Sequence, residues 1–480
     1  MNDTLKGLKP ERFFYWFEKI TKIPRGSYHE EKIADFLVHF AEERGLAYKR
    51  DEVNNVYIVI PATVGYEDEP SVLLQGHMDM VWAKDETATI NLETDPLELV
   101  VSGNALKAKG TTLGADDGVA LAAMLAVVDD KTVAHPELEL LCTVQEEVGL
   151  VGIRKVNPAW IHSHRMINFD SGNSHEMCVC SAGTKKVSFG KTFREEKRSA
   201  VGLKLRLFGG LSGHAGLLCH KNRACCINIM GELLHLLEKE MPVYLSTITA
   251  DGPAIHASCE TFASVPEGCA QQAMQILQEQ FKIIQKRYGA SDPDLAFSVC
   301  EDPTKKQTLS TEDSDSVIRA MFLLHTGVRK SDENDLNIIV ASSTFAAISL
   351  RNGLFKANYN IRSIEDSTRD LWYDRTGELL RMLGFEAVVD NEYPAWPRSE
   401  TSVMQSRFAQ EHKRLFGREI RRMYIHGGIE VSILFGMVPD MDAVGIMPTT
   451  VDFHTPNETM FIDEVQPFWD LLTAVLERKE

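Results

Sequence analysis

The 480-residue chain is 44% hydrophobic and 25% charged and carries a net charge of -18. This is an ordinary soluble globular composition, long enough for about two to four domains. The negative balance argues against a nucleic-acid binder, which needs a basic face to neutralise phosphates.

In chain order, residues 10–22 read as a helix. Ser27 followed by Glu30 offers a capping box for a second helix reaching residue 44, with Ile33, Phe36, Leu37 and Phe40 on one face. The opening MNDTLKGLKPERFF lacks the apolar core of a signal peptide. Strands are expected at 56–60 and 72–75, the second ending abruptly at Gly76-His77. Asp116 opens an apolar helix over 118–128, whose Ala120, Ala122, Ala123 and Ala126 allow close packing on a sheet. That is the longest apolar stretch, shorter than the roughly 18–20 residues a bilayer crossing takes. A cytoplasmic protein with no membrane partner is therefore expected. Residues 138–144 and 165–169 read as buried strands that end at Gln145-Glu146-Glu147 and at Asp170. Strands alternating with helices predict an α/β fold with a mostly parallel central sheet.

The pattern changes after about Thr184. Strands are expected at 201–208, 258–264 and 295–300, and helices at 223–239, 267–288 and 313–324. Three β-rich runs follow, the last two (345–350 and 355–362) flanking Arg351-Asn352-Gly353, a hairpin signal. A helix over 367–383 completes an α+β region. The first pattern resumes near Ser399 with a helix over 402–416, then His426-Gly427-Gly428 and Val451-Asp452-Phe453-His454. A last helix is expected over 467–478, with Pro467 in its first turn. The expected domains are 1–186 and 399–480, forming one catalytic domain, with 187–398 inserted between its parts. The nine cysteines are irregularly spaced and read as buried, reduced thiols.

Seven residues carry the chemistry: His77, Asp79, Asp116, Glu146, Glu147, Asp170 and His454. They follow strands or open a helix, and ligands of α/β sheets collect at the carboxyl ends of strands. Imidazole and carboxylate together suit zinc and similar divalent ions. His77 and Asp79 alternate, so they share a side, and Asp79 could fix the His77 tautomer. Asp116 has two oxygens and could bridge two ions of a co-catalytic pair. Of Glu146 and Glu147, one could bind metal while the other faces a water as general base. Taken singly, each has a bland explanation: Asp116 or Asp117 as a helix cap, the glutamates and Asp170 as solvated loop residues, His77 as a structural histidine. The combination is far more specific than any part.

The stretches GHMDMVW, TTLGADDGVALAAMLA, TVQEEVGLVG, NFDSG, HGGIE and DFHTPNE run through the chain. They closely resemble the co-catalytic zinc peptidases of the aminoacylase and carnosinase type, above all the bacterial aminoacyl-histidine (Xaa-His) dipeptidases. The resemblance implies a zinc-binding α/β catalytic domain interrupted by an inserted lid domain, and two Zn2+ per chain, with Mn2+ or Co2+ as possible substitutes. Asp116 would bridge the ions, His77 and Asp170 completing one site and Glu147 and His454 the other. Glu146 would be the general base and Asp79 the partner of His77, with a cis Asp116–Asp117 peptide. His214, Asn337 and Arg362 in the lid, and His426, would handle substrate. The implied activity is hydrolysis of dipeptides, of the Xaa-His type such as carnosine, by a homodimer. An N-acyl-amino-acid amidohydrolase is the alternative, and a non-catalytic metal-binding protein a distant third. The family pattern is broken at Leu218 and at His256-Ala257-Ser258-Cys259-Glu260, where an aspartate and an Asn-Ala-Ile-Pro-Arg-like run are expected. Both departures lie in the lid.

Overall fold

The computed structural model describes residues 4–213, 215–216, 218–250, 255–304 and 306–480. It divides into two compact units. One is Met1–Ser181 with Arg398–Tyr424 and Ile429–Glu480, and the other is Ala182–Pro397 with Ile425–Gly428. The expected breaks after residues 186 and 398 fall instead after 181 and 397. Residues 425–428, read from sequence as part of the catalytic domain, group with the second unit. The Ala182 backbone N–H donates to the carbonyls of Ile425 (2.9 Å) and Gly427 (3.1 Å), which ties that loop to the start of the unit.

The first unit is built on an eight-stranded sheet. Strands Val72–His77 and Leu138–Thr143 are buried along their whole length, as central strands covered on both faces must be. They pair in parallel, Val72 with Leu138 through His77 with Thr143. Val72–His77 also pairs in parallel with Arg165–Asn168, which pairs in parallel with Asp442–Gly445. The centre of the sheet is thus parallel, as the alternation of strands and helices predicts, and one edge of it is antiparallel. Val56–Ile60 lies antiparallel to Leu138–Thr143, and Ala47–Arg50 antiparallel to Val56–Ile60. Residues 51–55 are too few for the crossover a parallel pair needs. The helix Ala115–Asp129 is buried over nearly its whole surface. A small second sheet joins Thr450–Val451 and Thr459–Phe461 to Ala105–Ala108 and Leu99–Ser102.

Two terminal readings change. The helix Glu31–Glu43 has no side-chain cap. Its expected capping pair is drawn elsewhere: Ser27 donates to Asp79, and Glu30 accepts from the backbone N–H of Gln145. The last helix is Ile462–Leu476, with Pro467 inside it rather than in its first turn. Asn104 takes up the early backbone donors, accepting from Ile462 and Asp463 (both 2.9 Å), so the helix starts earlier than the proline suggested.

The second unit carries a nine-stranded sheet, antiparallel throughout its pairings, packed with helices Cys226–Glu238, Ala270–Tyr288, Thr311–Leu323 and Asp366–Met382. It has its own apolar core, distinct from that of the first unit. Strands Ile339–Arg351 and Leu354–Ser363 form the expected hairpin, with Asn352 (φ 51°) and Gly353 (φ 73°) both left-handed. Of the free cysteines, Cys300 is exposed and Cys269 half-buried, against the expectation that all are buried. Among the described residues no helix is long and apolar enough to cross a membrane.

Candidate metal centre and active site

The parallel strands deliver four of the acidic and imidazole groups. His77 ends Val72–His77, Glu146-Glu147 follow Leu138–Thr143, and Asp170 follows Arg165–Asn168. Parallel pairing in register aligns these carboxyl ends. Asp116 stands at the start of the helix Ala115–Asp129, where it and Asp117 depart from helical geometry and are joined by a cis peptide bond. His454 lies in the turn between the short strands Thr450–Val451 and Thr459–Phe461, with a left-handed φ of 62°. Such a backbone is uncommon for a residue other than glycine.

These side chains converge. His77 Nε2 lies 2.9 Å from Asp116 Oδ1, and His454 Nε2 lies 3.1 Å from Asp116 Oδ2. His454 Nε2 is also 3.0 Å from Glu147 Oε1. Donor atoms of His77, Asp116 and Asp170 lie within 4.8 Å of one another, as do those of Asp116, Glu147 and His454. Asp116 thus belongs to two clusters through different oxygens. A third cluster joins His77 with Glu146 and Glu147.

Asp79 supports the centre from behind and is fully buried. Its Oδ1 is 3.3 Å and its carbonyl oxygen 3.1 Å from His77 Nδ1. That leaves Nε2 facing Asp116. Asp79 Oδ1 accepts from the backbone N–H of Glu146 (3.0 Å), and Oδ2 from that of Glu147 (3.3 Å) and the Ser27 hydroxyl (2.7 Å). One carboxylate therefore orients the histidine and both glutamates.

Sequence reasoning assigned no role to several groups here. The buried Arg25 guanidinium donates to the carbonyls of Met78 (2.8 Å), Asp79 (2.9 Å) and Gly114. Glu458 accepts from the backbone N–H groups of Leu113, Gly114 (both 2.9 Å) and Asp116 (3.2 Å). That pins the turn carrying His454 against the loop carrying Asp116. Asp117 accepts from the His77 backbone N–H (3.1 Å). Glu458 and Asp117 stand inside the DFHTPNE and GADDG stretches, so their proximity in sequence to ligand candidates was the available signal. Ser27 carried a misleading one.

The electrostatics describe a site short of positive charge. Burial pulls the His77 imidazole down, but hydrogen bonds to Asp116 and Asp79 outweigh it and hold the ring well above its usual range. Hydrogen bonds to Asp116 and Glu147 push His454 up to about 10. Burial drives the Asp170 carboxyl up, reinforced by the charges of Asp116 and Glu146. Burial likewise raises Glu146, against the pull of His77 and with the help of Glu147, Glu430 and Asp116. Asp116 is lowered because its bonds to His454 and His77 overcome its burial. The cluster gathers protons to offset its carboxylates. Divalent cations would replace them, and imidazole nitrogen with carboxylate oxygen is the donor set for zinc and its neighbours. The residues present fit a pair of such ions.

The substrate-handling candidates lie in the second unit and meet only in part. Arg362 is nearly buried, with Nε lacking a hydrogen-bond partner. His426 is buried, with Nε2 2.7 Å from the Ser342 hydroxyl. Ser342 is paired in register with Arg362, so it links the two. Asn337 is exposed, its backbone and side-chain N–H groups both held by Asp335 Oδ1 at 3.0 Å. His214 lies outside the described residues.

Residues 73–478 match the profile of the family described as "Peptidase family M20/M25/M40". The chain is 29% identical to the cytosol non-specific dipeptidase of Escherichia coli over 98% of each chain. It superposes on the crystal structure of aminoacylhistidine dipeptidase from Vibrio alginolyticus with a TM-score of 0.89 and 27% identity, covering 99% of this chain and 98% of that one. Aminopeptidase PepT from Bacillus cereus shares the fold at a TM-score of 0.59 and 16% identity, over 98% of each chain.

Proposed function

This chain belongs to peptidase family M20/M25/M40 and is a hydrolase of peptide bonds, and from that premise we propose that it is a two-metal dipeptidase with Glu146 as general base. The observation that carries the reading is the sharing of Asp116 between two ligand clusters, with Glu146 beside them as a carboxylate neither needs. The proposed ligands are His77 and Asp170 for one ion, Glu147 and His454 for the other, and Asp116 for both. Two divalent ions held by these residues would supply Lewis acidity toward the scissile carbonyl and toward a water.

The chain's own groups do the rest. Glu146 accepts the proton of the attacking water at a carboxylate oxygen and delivers it to the leaving amine. Asp79 keeps the His77 proton on Nδ1 and holds the backbone of Glu146 and Glu147. In the second unit, Arg362 offers a planar donor fork to a substrate carboxylate. His214 would stabilise the tetrahedral oxyanion, and His426 and Asn337 would line the substrate path. A Xaa-His preference is supported by the Vibrio alginolyticus relative's name, and carnosine as a substrate and a homodimer by the family resemblance. The departures at Leu218 and His256–Glu260 put the sequence difference in the lid rather than at the metal ligands.

The test is a dipeptide panel with Xaa-His members, non-histidine dipeptides and N-acetyl amino acids. Free dipeptides are expected to be cleaved. Cleavage of the N-acetyl compounds alone would favour the amidohydrolase. Glu146→Gln is expected to keep both metal ions while kcat falls about 10²- to 10⁴-fold, and undiminished turnover would remove the assignment.

A further inference from the structure

Beneath the ligands lies a layer of buried polar side chains that the proposed chemistry leaves unused. Gln75, Thr143, Asn168 and Glu430 are each at most 1% exposed. Gln75 stands two residues before His77, Thr143 three before Glu146, and Asn168 two before Asp170. They sit on three adjacent parallel strands, with Gln75 in register with Asn168 and Thr143 with His77.

Glu430, the first residue of the helix Glu430–Met437, joins them. Gln75 Nε2 and the Thr143 hydroxyl both donate to its Oε2. Asn168 Nδ2 donates to Gln75 Oε1 at 2.7 Å, and Asn168 Oδ1 accepts from the Asp170 backbone N–H and the Ser171 hydroxyl, both at 3.2 Å. Glu430 Oε1 is buried without a hydrogen-bond partner.

Central strands of such a sheet are ordinarily filled with apolar side chains, and each buried polar group costs free energy unless bonded. An apolar layer would fill this space at lower cost. What the polar layer adds is direction, because hydrogen bonds fix relative strand positions that apolar contacts leave free to slide. Side chains two apart on a strand face the same side, so a displacement of Gln75 is carried to His77.

We propose that Glu430 is the positioning residue of this metal centre. Through one carboxylate oxygen it locks the strands that lead to His77 and to Glu146-Glu147. Through Gln75 and Asn168 it holds the strand leading to Asp170, in the arrangement where the ligands meet. The proposal rests on the two-metal reading of the site, and on the dipeptidase reading only for its kinetic readout.

The experiment compares Glu430→Gln, Glu430→Ala and Thr143→Val with the parent chain. Zinc affinity is measured by competition with a chromogenic chelator, and kcat and KM on a cleaved dipeptide. Folding of the metal-free proteins is monitored by circular dichroism. Glu430→Ala and Thr143→Val are expected to weaken zinc binding by about 10- to 100-fold, with kcat falling in step and KM changing by less than about threefold. Glu430→Gln keeps a carbonyl oxygen able to accept both donors, so it should stay within about threefold of the parent. Parent-like zinc affinity in a folded Glu430→Ala protein would overturn the proposal. So would a Glu430→Gln protein as impaired as Glu430→Ala, since charge rather than geometry would then be what the site needs. If Glu430→Ala does not fold, Thr143→Val decides on the same measurements. A parent chain that binds zinc but cleaves no dipeptide would refute the functional reading and leave the affinity comparison to judge Glu430.

Discussion

His77 presents Nε2 to the centre only while Nδ1 keeps its proton, and the carboxylate 3.3 Å from that nitrogen is Asp79. Because Asp79 also accepts from the backbone of Glu146 and Glu147, it orients one proposed ligand of each ion and the proposed base together. Asp79→Asn is expected to raise the zinc dissociation constant about 10- to 100-fold, measured by titration against a competing chelator. Glu238, in the second unit, is a case where charge opposes folding. Burial pushes its carboxyl up to about 7, with Asp315 adding to the rise and Arg319 opposing it, and its Oε2 has no hydrogen-bond partner. The fold favours the neutral acid. That contribution is complete below the ordinary value of 4.5 and is lost as pH rises through about 7. Glu238→Gln should therefore be near neutral at pH about 4.5 and stabilising by roughly 1 kcal/mol at pH about 8, a figure reduced for partial exposure. Urea unfolding at the two pH values checks it. At this scale His77, Glu147 and Asp170 were readable because each follows an apolar run, and Asp116 because it opens one. Ser27 was misread because Ser-x-x-Glu matches a capping box, and sequence carries no sign that Asp79 takes its hydroxyl.

Among the elements, the central strands were legible and the edges were not. Val72–His77 and Leu138–Thr143 are continuous buried runs. Ala47–Arg50 is largely exposed, and Glu386–Tyr393 alternates between exposed and half-buried, so neither stands out from a loop in hydrophobicity. The helix Glu430–Met437 spans eight residues and begins directly after a Gly-Gly-Ile turn, leaving too little periodicity to reveal it. Gly76 shows how closely the main elements approach. A Cβ there would overlap Ala120 Cβ on the facing helix and Asp117 Oδ2, neither of which sits at the end of a long flexible side chain. Gly76→Ala is expected to destabilise the protein by about 1–3 kcal/mol and to weaken zinc binding, because the shift reaches both Asp117 and His77. Thermal melts of the metal-free protein separate the packing cost from the metal effect.

For the whole molecule, bound metal should act as part of the fold. A ligand that binds only the native state at about 100 times its dissociation constant adds roughly 2.7 kcal/mol. Zinc addition should thus raise the thermal midpoint by several degrees and chelation should reverse it. A midpoint indifferent to metal would mean that no high-affinity centre forms. The residues proposed to bind metal and react stood out in the sequence, because most of them border an apolar run whose burial dictates where the chain must surface. So was the two-part character of the chain, from the change of pattern after Thr184. Only the tertiary structure decided that His454 reaches an oxygen of Asp116, 338 residues away in sequence. The same holds for Glu458 clasping the Asp116 loop, and for Ser27 and Glu430 serving the centre from distant segments. Local propensity and periodicity report on neighbours within a few residues, whereas these contacts are made by the long-range pairing of strands and the packing of helices.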